Sequence, residues 1–214
     1  MATRFGTTGH DELYGTQWPD QMDGKAGDDY VNGQGDNDVM LGGDGDDKLD
    51  GRTGNDQLWG GTGNDALFGG PGGDILIADD GDDYLDGGPD PDRLWGGAGA
   101  DRLRGGDGDD VLHGGAGSDN LHGGADADNY VFDGDYVKGD VDTITGFEPG
   151  VDHITTWWEN SQGEPNANVS ITEADGRTTA TATDINTGDT LETIKIDAVG
   201  LPASTWTFFS DFDY

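Results

Sequence analysis

Residues Gly42 to Asp50 read GGDGDDKLD, and Gly105 to His113 read GGDGDDVLH. The two stretches stand a whole number of nines apart, and nine is the period of the chain from Gly6 onward. Fourteen copies follow one another without an insertion or deletion. An aspartate holds the sixth place of every copy, in steps of nine from Asp11 and Asp20 to Asp128. The eighth place is apolar throughout, from Leu13, Met22 and Val31 to Leu121 and Tyr130, and the first is glycine in every copy except at Ala78. Places one to six are turn-formers, and places seven to nine, such as Lys48-Leu49-Asp50, make a minimal strand with only its middle residue pointing inward. Two copies then form one coil of eighteen residues. Fourteen copies form seven coils, a roll roughly 30 Å long at about 4.8 Å per strand.

A glycine and aspartate repeat of nine residues is the pattern of a calcium-loaded parallel β-roll. From Gly6 to Val131 the chain resembles the RTX, or haemolysin-type calcium-binding, repeat GGxGxDxUx. The resemblance implies an all-β fold: a right-handed parallel β-roll over residues 1–131, with a small β-rich cap over 132–214. It also implies that each Ca2+ lies between two stacked loops and takes two carbonyls and the aspartate from each. Stacked loops are eighteen residues apart, so two columns of sites are expected, one along each edge.

The odd copies would contribute Asp11, Asp29, Asp47, Asp65, Asp83, Asp101 and Asp119. With them go the fourth-place glycines Gly27, Gly45, Gly63, Gly81, Gly99 and Gly117 and the first-place glycines Gly24, Gly42, Gly60, Gly96 and Gly114. The even copies would contribute Asp38, Asp56, Asp74, Asp92, Asp110 and Asp128. Glycine at the fourth place permits a positive φ, and the turn aims successive carbonyls at one point, where calcium finds the hard oxygens it prefers. The odd copies keep that glycine without exception. The even copies break it at Trp18, Asp36, Asp90 and Asp126, with Pro19, Pro89 and Pro91 nearby. The expectation is an unbroken odd column, and an even column gapped or distorted near its ends and at Asp92.

The composition agrees with a fold held by ions. Of 214 residues 41 are glycine and only 31% are hydrophobic, so burial alone would not fold the chain. Asp and Glu number 45 against 10 Lys and Arg, a net charge of -35. Without cations such a chain repels itself, and it offers nothing basic to meet the phosphates of a nucleic acid. There is no cysteine, which removes disulfides and thiolate metal sites. No stretch approaches the roughly 18 apolar residues of a membrane span, and the N-terminus lacks a charged leader followed by an apolar run. Proteins of the resembled family usually leave bacteria by a type I channel with an uncleaved C-terminal signal. The ending TWTFFSDFDY suits such a signal, and the expected location is extracellular.

The outward strand residues divide by face. Even strands carry Val39, Leu41, Trp59, Ile75, Ile77, Trp95, Val111 and Val131, whereas odd strands carry mostly Asn32, Lys48, Asp50, Asp86, Arg102, Arg104 and His122. An apolar face of that length is expected to be covered. The candidates are the C-terminal segment, a second copy in a homodimer, or a polysaccharide or protein partner on Leu41, Trp59, Ile77 and Trp95.

After Val131 the period fails, but Asp142 with Ile144 and Asp152 with Ile154 keep the D-x-apolar unit as degenerate closing turns. Solenoids need closed ends. From Asn168 the stretches NVSITEA, TTATATDI and LETIKIDAV alternate in β fashion and predict a small antiparallel cap, with Trp157, Trp158, Trp206, Phe208 and Phe209 in its core. Nothing points to catalysis. The four histidines form no HExxH, no serine sits in a nucleophile elbow, and the glycines form no phosphate loop. In the enzymes that carry such repeats the catalytic domain precedes them, and here the repeats begin at residue 6. The expected activity is calcium binding that drives folding. An adhesion or matrix protein and a non-catalytic subunit of a secreted enzyme are the alternatives.

Overall fold

The structure is a computed structural model and describes residues 2–132, 140–156, 167–174, 177–184, 190–196 and 206–208. Its strands lie in two sheets, and the chain crosses from one to the other at every copy. The first sheet runs β1 (Thr3–Phe5), β3 (Gln21–Ala26), β5 (Val39–Asp44), β7 (Gln57–Thr62), β9 (Ile75–Asp80), β11 (Arg93–Ala98), β13 (Val111–Ala116) and β15 (Asn129–Phe132), and continues through β17 (His153–Thr156) and β21 (Trp206–Phe208). The second runs β2 (Glu12–Tyr14), β4 (Tyr30–Asn32), β6 (Lys48–Asp50), β8 (Ala66–Phe68), β10 (Tyr84–Pro89), β12 (Arg102–Asp107), β14 (Asn120–Ala125) and β16 (Asp140–Ile144). Neighbours are parallel and eighteen residues apart in the repeat, as in Leu49↔Leu67 and Leu58↔Leu76. The architecture is a β-solenoid of about seven coils, without a helix among the described residues.

Most strands of the roll run six residues rather than the three expected, because places one to three continue the strand. First-place glycines make this feasible: they are buried against the loop, where a side chain would strike the loop aspartate. Between the sheets lies a core one residue deep on each side. Met22, Val31, Met40, Leu49, Leu58, Leu67 and their successors are fully buried, and Leu13 at the open first coil is only partly so. The last copy substitutes Tyr130, whose ring packs on Phe147 at 5.8 Å and whose hydroxyl accepts the Gly123 N–H at 2.8 Å.

The closing turns continue both sheets. β16 pairs with β14, and β17 pairs with β15, both in parallel. β18 (Ala167–Ala174), β19 (Arg177–Asp184) and β20 (Thr190–Ile196) form the expected antiparallel ribbon, and β20 joins β16 in parallel. The described C-terminal strands therefore extend the far end of the roll. Among them none pairs against the apolar outer face. Trp157, Trp158 and Phe209, expected in the core of the cap, lie outside the described residues, as do the side chains of Trp206 and Phe208.

Candidate metal centre: two columns of buried carboxylates

Each sixth-place aspartate ends a loop just before its strand and turns its carboxyl back under the loop. From Asp29 onward, Oδ1 accepts the backbone N–H of the aspartate one coil earlier: Asp29 donates to Asp47 at 2.7 Å, Asp47 to Asp65 at 2.8 Å, and Asp56 to Asp74 at 2.7 Å. A second ladder runs the opposite way through the fifth place, where Asn64 N–H donates to Asp46 Oδ1 at 2.8 Å and Asn55 N–H to Asn37 Oδ1 at 2.9 Å. Both ladders tie coil to coil through loops that lie between the paired strands.

The other oxygen is the informative one. From Asp29 to Asp128, the Oδ2 of every sixth-place aspartate is buried and has no hydrogen-bond partner among the described residues. That makes twelve orphaned acceptors, six in each column: Asp29, Asp47, Asp65, Asp83, Asp101 and Asp119 along one edge, and Asp38, Asp56, Asp74, Asp92, Asp110 and Asp128 along the other. Native proteins leave very few such groups, so each one asks for an explanation. Beside eleven of these oxygens is a cradle that a first-place glycine keeps open, and beside Asp83 the first place is Ala78. A Cβ on Gly42 would collide with Asp47 Oδ2 and come within 2.7 Å of the carbonyl oxygen of Gly60 in the next coil. Gly24, Gly60, Gly96 and Gly114 stand in the same relation to Asp29, Asp65, Asp101 and Asp119. Fourth-place Gly27, Gly45, Gly63, Gly81, Gly99 and Gly117 stack over one another's backbones with positive φ. No three His, Asp or Glu side chains converge among the described residues. A cation in these cradles would meet carboxylate and carbonyl oxygens together, the hard donor set that suits Ca2+.

Burial pushes these carboxyls upward. Asp92 is raised to about 8, Asp38, Asp65, Asp74, Asp101, Asp119 and Asp128 to about 7, and Asp47, Asp56, Asp83 and Asp110 to about 6. Hydrogen bonds from the preceding coil oppose the rise, and neighbouring carboxylates add to it.

The even column keeps its ladder at three of the four positions where the glycine pattern breaks; the fourth, Trp18, lies beside Asp20, whose Oδ2 is paired. Asp36, Asp90 and Asp126 take φ of +66°, +80° and +79°, the same left-handed side as the fourth-place glycines. Aspartate tolerates that region better than most residues. Asp92 consequently sits in its ladder like its neighbours, accepting from Asp74 at 2.7 Å and donating to Asp110 at 2.8 Å.

Asp11, expected with the other ligands, is set apart. Its Oδ2 accepts the Thr7 N–H at 2.6 Å and the Thr7 hydroxyl at 2.8 Å, and Thr16 treats Asp20 in the same way at the same distances. The backbone and side-chain bonds from Thr7 hold Asp11 below its ordinary value. Burial would raise Asp20, but bonds from Ala2 and Thr16 outweigh it. Asp142 and Asp152, which the nine-residue period does not reach, join the columns instead. Asp142 Oδ1 accepts from Asp119 at 2.9 Å and Asp152 Oδ1 from Asp128 at 3.2 Å, so both columns continue into the closing turns. The retained D-x-Ile unit is their signal in the sequence. Asp152 Oδ2 accepts the Glu148 N–H at 2.8 Å, which ends its column in a hydrogen bond.

On the outer face of the first sheet, Leu41, Trp59, Ile77 and Trp95 stand side by side in successive strands, in register with His113 and Val131.

No curated protein matches the chain. The extracellular lipase LipA from Serratia marcescens is similar over 96% of this chain and 39% of its own, at 16% identity and a TM-score of 0.37. This chain thus spans well under half of that lipase. The AlgE6R3 subunit of the Azotobacter vinelandii mannuronan C5-epimerase is similar over 94% of this chain and 80% of its own, at 20% identity and a TM-score of 0.21. The RTX calcium-binding nonapeptide repeat (4 copies) matches in overlapping windows over residues 5–40, 19–49, 41–76, 59–94, 77–112 and 95–130. Those windows cover more than half of the chain and coincide with the fourteen copies that build its carboxylate columns, so the chain belongs to the RTX calcium-binding repeat family.

Proposed function

We propose that this protein is an extracellular, non-catalytic module whose folding is driven cooperatively by Ca2+, with Asp29 to Asp119 and Asp38 to Asp128 as the carboxylate ligands of two ion columns. The observation that carries this reading is the set of twelve buried, unpaired carboxylate oxygens. Burying one uncompensated carboxylate costs several kcal/mol even after relaxation. Twelve such costs exceed the roughly 5–15 kcal/mol by which a typical domain is stable. At neutral pH the roll therefore needs cations in its cradles. When bound, Ca2+ supplies the positive charge that the thin apolar core does not. The chain's own residues fix the rest: Oδ1 is held by the preceding coil, Oδ2 is aimed into the cradle, and glycine keeps the first-place carbonyl accessible. Each loop lies between two others, so filling one cradle orders the next, which is the source of the cooperativity.

Extracellular modules bind calcium at about 0.1–1 mM. A chain tuned to that range would stay loose inside the producing cell and fold outside, which accords with type I export and with the absence of cysteine. In this reading residues 1–131 form the roll and 132–214 the cap and export region. The test is far-ultraviolet circular dichroism with parallel ultracentrifugation as Ca2+ rises from chelated conditions to about 10 mM, a range that spans those affinities. A steep gain of β signal is expected. A β signal already complete in chelator at about pH 8, above all but the highest of the raised carboxyl values, would overturn the proposal.

A further inference from the structure

The two outer faces of the roll differ in their side chains. On the second sheet the outward groups are paired: Arg104 lies 3.6 Å from Asp86, Arg52 lies 2.9 Å from Asp50, and Lys48 sits over the rings of Tyr30 and Phe68. On the first sheet the row Leu41, Trp59, Ile77, Trp95 and His113 has beside it a row almost without side chains, Gly43, Gly61, Asp79, Gly97 and Gly115. Asp44, Thr62 and Asp80 form the next row, exposed and polar, which passes to Ala98 and Ala116 beside Trp95 and His113. The result is a trough along the roll axis with an aromatic wall, a nearly bare floor and a hydrogen-bonding wall. Around Trp95 it opens into a hollow of about 510 Å3 lined by Ile77, Asp79, Asp80, Trp95, Ala98 and His113. That volume is typical of small-ligand sites.

We infer that this trough binds a neutral, linear, β-linked polysaccharide. Trp59 and Trp95 are two strands apart, roughly 9.6 Å at the sheet spacing. This is about the length of one disaccharide unit in an extended β-linked chain, so alternate sugar rings meet a tryptophan and the ring between meets Ile77. Half-buried indoles give the apolar faces of pyranose rings a flat surface. Carboxylates at Asp79 and Asp80 and the hydroxyl of Thr62 accept or share hydroxyl protons from the ring edges. The charge selects the class of glycan. Bound Ca2+ offsets much of the chain's charge, but Asp44, Asp79 and Asp80 keep the trough itself negative, which repels uronate or sulfated polymers and leaves neutral ones unhindered. The same charge opposes a second copy on this face, and a floor one residue wide fits a single polymer chain better than a flat protein surface.

The site rests on the calcium-loaded roll, so binding is measured in saturating Ca2+ on protein whose β signal has been verified, which separates failure of the site from failure of the fold. Cellohexaose is titrated by calorimetry and tryptophan fluorescence against the full chain, Trp59→Ala, Trp95→Ala and the opposite-face control Tyr84→Ala. Saturable binding is expected, weakened about tenfold by each tryptophan substitution, as stacking contacts of this size imply, and unchanged by Tyr84→Ala. Asp80→Asn, which leaves the aromatic row intact, is expected to weaken binding severalfold and serves where a tryptophan variant loses β signal. No binding of cellohexaose, binding indifferent to these residues, or tighter binding of an alginate oligomer would each overturn the inference. A dimer that the tryptophan substitutions dissolve would overturn it as well, and would give the face to a second copy.

Discussion

The first two copies and the twelve that follow place the same aspartate at the same position of the same roll, and its second oxygen meets opposite fates. In the first two, Thr7 and Thr16 close over it. In the twelve no donor reaches it. The backbone explains the split. From Lys25 onward every second-place residue has a positive φ, as at Lys25 (+89°), Gln34 (+74°) and Arg52 (+76°), and their loops send no N–H to the Oδ2 below. Thr7 and Thr16 stay out of that region, as a β-branched residue must to avoid strain, and their N–H and hydroxyl groups turn inward. A carboxylate oxygen in this fold is thus a satisfied or an unpaired acceptor according to the φ of a residue four positions earlier.

The raised carboxyls should dominate how the roll responds to pH. A group that titrates at about 6 to 8 in the roll and near 3.8 when unfolded binds more protons folded than unfolded throughout that interval. Without Ca2+ its support for the fold is therefore full below about pH 4 and is lost as the pH rises toward about 8. Each pH unit crossed removes about 1.4 kcal/mol per such carboxyl, and many act at once. Asp11 and Asp20 have the opposite sign, since their lowered values favour the fold above 3.8 and fail only in stronger acid. In chelator, circular dichroism should show β structure at about pH 5 and little at about pH 8. Added Ca2+ should restore it, at a midpoint that falls as the pH rises, because proton and ion compete for one oxygen. A β signal in chelator that ignores pH would remove the distinction between the twelve and the two.

Single carboxylates should separate next. Asp65→Asn takes one buried charge out of the middle of the odd column. It is expected to help the roll fold in chelator at high pH, yet to raise the calcium midpoint severalfold and flatten the transition. Asp11→Asn is expected to leave the midpoint within about twofold, since only its bonds to Thr7 are weakened. Equal shifts in the two titrations would place Asp11 among the ligands after all. A smaller contrast lies in the fourth place. Gly45 has φ +126°, and a Cβ there would stand 2.7 Å from the Gly27 backbone, whereas a Cβ on Gly9 meets nothing within 4 Å. In saturating Ca2+, Gly45→Ala should cost about 1–3 kcal/mol by thermal melting. Gly9→Ala should be neutral or stabilise by up to about 1 kcal/mol.

The repeat made the roll legible because period nine dictates everything that recurs: the coil of eighteen, the inward column from Leu13 to Tyr130, and the line of aspartates along each edge. What it hid are the places where one residue's backbone decides. The breaks at Asp36, Asp90 and Asp126 read as distortions by residue type, but aspartate reaches the glycine conformation, so the ladder holds at Asp92. Thr7 looks like an ordinary turn residue until its φ is known, which is why Asp11 was expected among the ligands. Strand length was underread for a related reason: glycine at places one and two signals a turn, yet a buried glycine in a stacked coil also extends a strand. The cap's strands were visible in their alternation. Their position at the end of the roll depends on which sheet edge remains open, and local sequence does not encode that.

The finest test converts one class of copy into the other. The second copy already holds most of a cradle: a Cβ on Gly15 would collide with the Gly33 carbonyl oxygen and lie 3.2 Å from Asp20 Oδ2, much as one on Gly42 meets Gly60 and Asp47. In the proposed reading, Thr16 occupies the position that an ion takes in the later copies. Thr16→Gly deletes the hydroxyl and lets the second place adopt the positive φ of the later copies, which withdraws the N–H as well. The even column should then begin at Asp20, and the variant should take up one further equivalent of Ca2+ by calorimetry, with only a small rise in melting temperature. Thr16→Val is the matched control. It loses the hydroxyl but keeps the β-branch that holds φ negative, so the Thr16 N–H bond to Asp20 persists and no ion is gained. Uptake by both variants would assign the switch to the hydroxyl. Uptake by neither would assign it to the surroundings of the first coil rather than to Thr16.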